Sequence, residues 1–374
     1  MRLADVLCGG RILGFACLVV CGCGESSTPK SASTQPSVQS DKQASKGTAA
    51  STDQAASSDR SQSDAGRGKA PNADKSEPAA ADMSERTFKF TYAATINDLP
   101  PGVKARIWVP LAATNREQDV EIVKIDVPGE YREEKDATYG NAMLYFEGTA
   151  DDAGDIPLSV AFKVTRRGLP RTGVEADPRP MGEFLAGSVM VPVTGEILKR
   201  FFSDMPPEGK TMEVARALYD RVDLHMKYDK SVEGWGRGDV LWACDSGRGN
   251  CSDFHSIFIS LCRDLKIPAK FEIGFPIPTD KSSGEIGGYH CWAKFLDDNR
   301  WVGVDISEAD KNPNLRDFLF GNLPPDRVMF STERDLQLVP SQDGGPVNFL
   351  VYPYVGVDGK PYSKQVRKFT FENL

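Results

Sequence analysis

The sequence predicts an α+β fold. A cysteine-bearing helix packs on an antiparallel sheet, preceded by a small all-β, sandwich-like domain and a disordered N-terminal tether. Three observations predict it. Phe254, Ile257, Phe258, Leu261 and Leu265 recur at the three- and four-residue steps of a helix with one buried face, directly after Cys251. Residues 289–306 alternate apolar and polar on either side of Asp298-Asn299, the pattern of a hairpin. Residues 86–167 hold several short alternating runs separated by turn residues, the pattern of a small sandwich.

The chain has 374 residues, room for two ordered domains and a tail. Its net charge of -8 and its lack of a basic cluster exclude a nucleic-acid surface. Residues 1–23 carry Arg2 and Arg11, then the apolar run Ile12 to Val20, then Cys21-Gly22-Cys23. A run this short followed by small residues is an export signal rather than a spanning helix. Val20-Cys21-Gly22-Cys23 resembles a bacterial lipoprotein cleavage box with Cys23 as the lipidated residue. The expected location is therefore the cell envelope, with the membrane as a partner through the lipidated N-terminus. Residues 24–85 are Ser, Ala, Gln, Lys, Asp and Pro, with Val38 and Met83 as the large apolar residues. Such a segment buries too little surface to offset its ordering entropy and stays disordered. A flexible linker of that length spans about 45 Å.

Within 86–167 the strands are Thr87 to Tyr92, Lys104 to Val109, Val120 to Ile125 and Leu158 to Val164, with a weaker fifth at Ala142 to Glu147. Asp151-Asp152-Ala153-Gly154-Asp155 lacks calcium-loop spacing and reads as a solvated turn. A Gly/Pro-rich link at 168–192 leads to a second domain at 190–374. Two helices open it; in the second, which Thr211 is placed to cap, Val214, Leu218, Val222 and Met226 step by four. His225 lies one position off that stripe, a surface or interface histidine. Trp235 and Trp242 follow in a Gly-rich loop, where either indole is a candidate for an acyl slot or an oxyanion donor; packing over the helix end is the alternative.

Gly247-Arg248-Gly249-Asn250 is a tight turn with Asn250 as the helix cap, and Lys266-Ile267-Pro268 ends the helix. Cys251 thus falls in the first helical turn, where free N–H groups and the positive dipole end favour a thiolate. The same N–H groups are candidates for holding an oxyanion. On its own the cysteine also fits the common role of an inert buried thiol. With Asp298-Asn299 as a two-residue hairpin loop, Phe295 faces Val302, Ala293 faces Val304 and Cys291 faces Ile306 on one apolar side. His290, Trp292, Trp301, Gly303 and Asp305 share the other side, with Asp305 across from Trp292 and diagonal to His290. The pattern predicts a hydrogen-bonded His290–Asp305 pair. Cysteine, histidine and aspartate then fill the three roles of an activated nucleophile, against the alternative of a satisfied core histidine and a carboxylate near a turn.

Gly249-Asn250-Cys251-Ser252-Asp253-Phe254-His255, Gly288-Tyr289-His290-Cys291-Trp292-Ala293 and Trp301-Val302-Gly303-Val304-Asp305-Ile306-Ser307 resemble the three blocks of a transglutaminase-like core, in particular its bacterial exported branch. The order Cys, His, Asp matches the papain-like arrangement. The resemblance implies that Cys251 attacks a carboxamide or peptide carbonyl on a protein or peptide substrate and forms a thioester. His290 then moves the proton, Asp305 orients it, and an amine or water resolves the acyl-enzyme. It implies no cofactor. The superfamily also includes proteases, amidases and members without activity, so a cysteine protease or amidase and a silent lipid-anchored binding module remain as alternatives. His255 and Trp292 are read as supporting residues behind the site. A zinc site from Cys244, Cys251, Cys262, Cys291 and His255 lacks paired cysteine spacing, so no metal is expected. At most one disulfide is available among Cys244, Cys262 and Cys291. The loop at 278–288 is placed to shape the acceptor side. Arg327 to Phe330, Val347 to Val355 and Lys364 to Phe371 read as strands that complete the His290 sheet.

Overall fold

The structure, a computed structural model, describes residues 83–176 and 181–374. The leader at 1–23, its Cys23 and nearly all of the 24–85 linker lie outside the described residues.

The strand Arg86–Ile96 buries Phe88, Phe90, Tyr92, Ala94 and Ile96 at every second position, as a half-buried strand must. It is the centre of a five-stranded antiparallel sheet ordered Ser283–Ile286, Gln365–Asn373, Arg86–Ile96, Ile156–Arg166, Gln118–Asp126. A second five-stranded sheet runs Lys360–Tyr362, Tyr354–Val357, Lys104–Pro110, Ala142–Thr149, Tyr131–Lys135. All five runs read from the sequence are strands. Tyr131–Lys135 is an exposed, charged edge strand with no alternation to read.

The third sheet carries the candidate site. Its order is Phe320–Gly321, Arg300–Val304, His290–Asp297, Ala269–Pro276, Arg327–Thr332, with Val174–Glu175 also paired to Arg300–Val304. Of the C-terminal strands expected to complete it, only Arg327–Thr332 does. Tyr354–Val357 pairs with Lys104–Pro110, and Gln365–Asn373 pairs along most of Arg86–Ile96, from Phe88↔Asn373 to Ile96↔Gln365. Phe369 and Phe371 are thereby buried, Phe369 with its ring 4.3 Å from that of Phe275. The 278–288 segment is also partly ordered as strand, because Ser283–Ile286 adds to the edge of Gln365–Asn373.

Six α-helices are present among the described residues: α1 Glu196–Phe202, α2 Thr211–His225, α3 Val240–Ser246, α4 Cys251–Asp264, α5 Ile306–Lys311 and α6 Arg316–Leu319. In α2 the stripe Val214, Leu218 and Val222 is buried as expected, with Met226 just past its end. Thr211 is the first helical residue rather than the cap; the Glu213 carboxylate accepts from the Lys210 N–H at 3.2 Å. His225 sits at an interface, its Nε2 3.0 Å from the Cys244 carbonyl. Trp242 is not in a loop. It belongs to α3, whose cap Asp239 accepts from the Trp242 N–H at 3.2 Å.

Every residue from Cys251 to Arg263 is buried, so α4 is enclosed on all sides rather than on one face. It packs on His290–Asp297 and against α1, α2 and α3. Burial of its polar positions is tolerable because each is satisfied. Ser260 Oγ donates to the Pro192 carbonyl at 2.6 Å, Ser256 Oγ accepts from Arg334 Nη2 at 2.6 Å, and Arg263 pairs with Glu333 at 3.0 Å.

Candidate functional site

Cys251 is placed by the cap of α4. Asn250 Oδ1 accepts from the Ser252 N–H at 2.9 Å, and Asp253 Oδ2 accepts in return from the Asn250 N–H at 2.9 Å. Asp253 also takes the Gly236 and Gly238 N–H groups at 2.7 and 2.9 Å, which ties the Gly-rich loop to the helix start. Gly249 has φ +158°, and a Cβ there would lie 2.4 Å from Asp253 Oδ2, so a side chain would break this cap. The Tyr289 hydroxyl accepts from Asn250 Nδ2 at 2.8 Å and lies 3.1 Å from Ser252 Oγ, fixing the cap to the histidine strand. One expectation changes. The Ser252 and Asp253 N–H groups are already held by Asn250, at 2.9 and 3.0 Å, so they do not wait for an oxyanion.

The hairpin has the register the alternation predicts: Phe295↔Val302, Ala293↔Val304, Asp297↔Arg300. Asp298 and Asn299 take φ of 45° and 61°, as a two-residue primed turn requires. The strand stops at Val304, however. Asp305 leaves the ladder to cap α5, accepting from the Glu308 N–H at 3.2 Å, and Ile306 begins that helix instead of facing Cys291. The contact the pattern predicts is still made: His290 Nε2 donates to Asp305 Oδ2 at 2.7 Å. Cys291 and His290 are the neighbours that act on the Cys251 sulfur. Since Nε2 is taken by Asp305, Nδ1 is the ring nitrogen left for the sulfur. Cys251 is 2 % exposed, His290 6 % and Asp305 0 %, so the three side chains meet under cover.

Burial alone would raise the Cys251 thiol; the bonds from Cys291 and His290 and the charge on His290 outweigh it and hold the thiol well below its ordinary value. Burial likewise disfavours the charged His290 ring, but the Asp305 carboxylate, then the Cys251 sulfur, raise its pKa to about 10. Asp305 is held in its ionised form against burial by His290, which is bonded to it, and by Arg327. Both shifts run in the direction that favours a thiolate–imidazolium pair.

Arg327 carries no sequence signal. It stands in an apolar strand, yet its Nη1 donates to Asp305 Oδ2 at 2.9 Å, the same oxygen His290 uses. Trp292 supports both: its ring lies 4.9 Å from the Arg327 guanidinium and 6.1 Å from the His290 ring, and its indole N–H donates to Glu272 at 2.7 Å. Beyond it lies a buried ion cluster in which Lys294 pairs with Glu272 at 2.9 Å and with Glu117, and Arg166 with Glu117 at 2.8 Å. His255 is packed behind the site. Its Nε2 accepts the Ile306 N–H at 3.0 Å, and burial lowers its pKa to about 4, so it is neutral. Trp235 lies under the Lys230 ammonium at 5.3 Å, and the Trp242 indole lies against Gly234, where a Cβ would sit 2.7 Å from Nε1. Neither position gives an indole bond to Cys251 among the described residues. At the mouth, Glu308 Oε1 lies 4.0 Å from His290 Nδ1 and pairs with Lys311, whose ammonium covers the Tyr228 ring at 3.9 Å.

Residues 201–306 match the model of the transglutaminase-like superfamily, a span that contains Cys251, His290 and Asp305. The chain carries a transglutaminase-like core. An uncharacterized protein of Haemophilus influenzae is 25% identical over 305 residues, covering 69% of this chain and 82% of that one. The solved structure of a candidate cysteine protease from Cytophaga hutchinsonii superposes with a TM-score of 0.53 at 15% identity, over 78% of this chain and 91% of that one. The periplasmic domain of TgpA from Pseudomonas aeruginosa is similar at 12% identity and a TM-score of 0.31, over 62% of this chain and 90% of that one.

The transglutaminase-like core is therefore built around a helix whose first residue is a thiol, the architecture of a thiol-dependent enzyme superfamily. Among the described residues no group of three or more His, Cys, Asp or Glu side chains is arranged to hold a metal ion. Cys244, Cys251, Cys262 and Cys291 are all free and buried.

Proposed function

We propose that this protein is a thiol enzyme that opens amide bonds in protein or peptide substrates through an acyl thioester on Cys251, then passes the acyl group to an amine or to water. The observation that carries this reading is the buried His290–Asp305 bond of 2.7 Å, beside a Cys251 thiol that His290 helps to hold below its ordinary value. The thiolate adds to the carbonyl carbon. His290 gives its proton to the departing nitrogen, which leaves as ammonia or an amine, and the thioester remains. His290, now neutral, takes a proton from the incoming amine or water as it displaces the sulfur, and the thiolate–imidazolium pair returns. Asp305 keeps the imidazole oriented and stabilises its charge through both half-reactions.

Iodoacetamide labelling across pH tests the nucleophile. Cys251 is expected to react well below the pH of an ordinary thiol, about 8.5, and His290→Ala to remove that advantage. Cys262, whose thiol burial pushes up, is the internal reference. If Cys251 labels no faster than Cys262, the enzyme reading fails and the chain is a binding module. A glutamine peptide with an amine dye separates the outcomes: dye incorporation without cleavage is transfer, and cleavage or ammonia release without incorporation is hydrolysis. Arg2, Arg11 and the Ile12 to Cys23 segment support action at the cell envelope, on a lipid anchor at Cys23.

A further inference from the structure

We propose that the substrate is an acidic peptide: carboxylates flank the amide that Cys251 opens, and Lys230 and Arg367 receive them on either side of the site. This rests on the thiol-enzyme reading above and names the substrate class for the same site.

The places of the two cations follow from contacts that begin at the reacting residues. On one side, Tyr228 pairs with Gly249, two positions before Cys251. Its ring lies beneath the Lys311 ammonium at 3.9 Å, and Lys311 bonds Glu308, whose carboxylate is 4.0 Å from His290 Nδ1. Lys230 stands over the same ring at 5.6 Å and over Trp235 at 5.3 Å. On the other side, the Tyr289 hydroxyl accepts from Asn250, and the Tyr289 ring meets that of Tyr352 at 5.8 Å. The Arg367 guanidinium lies on the Tyr352 ring at 3.7 Å. The Cys251 charge acts on both Tyr228 and Tyr352, as expected of rings that stand near the sulfur.

Both cations are exposed and have no carboxylate within ion-pair distance among the described residues, in a chain with 53 acidic residues against 45 basic. The carboxylates around Tyr228 are already taken: Asp229 by Arg248, Asp310 by Lys227 and Glu308 by Lys311. An aromatic face orders a long cationic side chain without neutralising it, so each charge is held in place for an incoming anion. Between Arg367 and the site histidine the backbone is bare. The edge strand Ser283–Ile286 ends at Ile286↔Phe369, and the chain runs through Gly287 and Gly288 to His290. A Cβ on Gly287 would meet nothing within 4 Å, and one on Gly288 would meet the Tyr352 hydroxyl alone, at 3.6 Å. An extended peptide therefore has room beside His290, with Arg367 at the border of that strip. The net charge of -8 offers an anion no attraction from afar, and physiological salt screens exposed charges beyond about 8 Å. The preference is set by contact with these two side chains.

The test gives the full chain three acetylated glutamine peptides, flanked by glutamates, alanines or lysines, and measures how well each protects Cys251 from iodoacetamide. The glutamate peptide is expected to protect at a concentration on the order of tenfold below the alanine peptide, the work of two exposed ion pairs, and the lysine peptide to protect least. A Lys230→Gln, Arg367→Gln chain, its fold checked by its unfolding midpoint, is expected to lose this order. A Lys230→Glu, Arg367→Glu chain is expected to reverse it. Equal protection by the glutamate and alanine peptides in the wild type overturns the proposal, as does protection by none of the three or an order that survives charge reversal. Failure of the thiol-enzyme reading is a separate result, read with no peptide present: Cys251 then labels no faster than Cys262.

Discussion

Asp305→Asn removes one charge from the buried site while keeping its shape. Asparagine is as good a helix cap as aspartate, so the bond from the Glu308 N–H that starts α5 survives. What changes is Oδ2, which now receives the His290 Nε2–H at 2.7 Å and Arg327 Nη1 at 2.9 Å. Charge-assisted bonds of this kind contribute about 1.5–3 kcal/mol each. Losing the carboxylate leaves the His290 imidazolium without its main support, and roughly 3 kcal/mol corresponds to about two pH units. The midpoint of Cys251 alkylation should therefore move up by about that much, toward the ordinary thiol value of about 8.5. Amide turnover should fall on the order of 10³-fold or more. Stability should drop by about 3 kcal/mol, the low end for breaking a buried pair, because Arg327 keeps a second partner. That partner is Asp326, at 3.2 Å. The assay is iodoacetamide rate against pH on the Cys251 peptide, with urea unfolding on the same samples. A variant that loses stability but keeps the wild-type alkylation midpoint refutes the reasoning, since the aspartate would then serve packing alone.

The remaining expectations concern pH and location. His255 is neutral when folded, with a pKa lowered to about 4 chiefly by burial. Its unfolded value is about 6.5, so the neutral form contributes roughly 3 kcal/mol of stability above that pH, lost as pH falls toward 4. Urea midpoints of the wild type should drop between pH 6.5 and 4.5, and His255→Gln, whose amide oxygen can accept the Ile306 N–H, should drop less; equal slopes would remove His255 from the account. The alkylation profile of the wild type should hold its thiolate plateau until His290 deprotonates near its raised pKa of about 10, whereas a change centred near 6.5 would mean that His290 is not paired. Cys23→Ala should shift the expressed chain from the membrane pellet to the soluble fraction, and unchanged fractionation would rule out the lipid anchor.

The histidine strand was the most legible part because two independent rules met there. Alternation assigned Cys291 and Trp292 to opposite faces, and Asp298-Asn299 set the register between them. Asn250 and Cys251 were legible because a capping residue precedes an apolar helical stripe. What the sequence does not carry is partnership. Alternation in Gln365–Asn373 says which residues are buried and not which strand lies beside them, and its partner is Arg86–Ile96 rather than the His290 sheet. Arg327 is invisible for the same reason: its partner, Asp305, is reached only after the strand folds back. Asp305 itself was found by extending a ladder that ends one residue earlier, and the diagonal reach of the aspartate survived that error because the cap of α5 points the carboxylate back at the ring. α3 is hidden because Gly234, Gly236 and Gly238 precede it and its 7 residues, about two turns, give too short a period to recognise.

The long strand Arg86–Ile96 lies between Ile156–Arg166 and Gln365–Asn373, and the Leu374 N–H reaches the Thr87 carbonyl at 3.0 Å. The two extremities of the folded body are thus stitched together, with more than half the polypeptide looped between them. During synthesis, Phe88, Phe90 and Tyr92 are made early but keep one open flank until the last strand emerges. A ribosome that stops short of Gln365 would release a species with a bare strand edge beside aromatic rows, prone to stick to its own kind. The carboxyl-terminal residues, remote from any reacting atom, thus guard against aggregation while the molecule is being made.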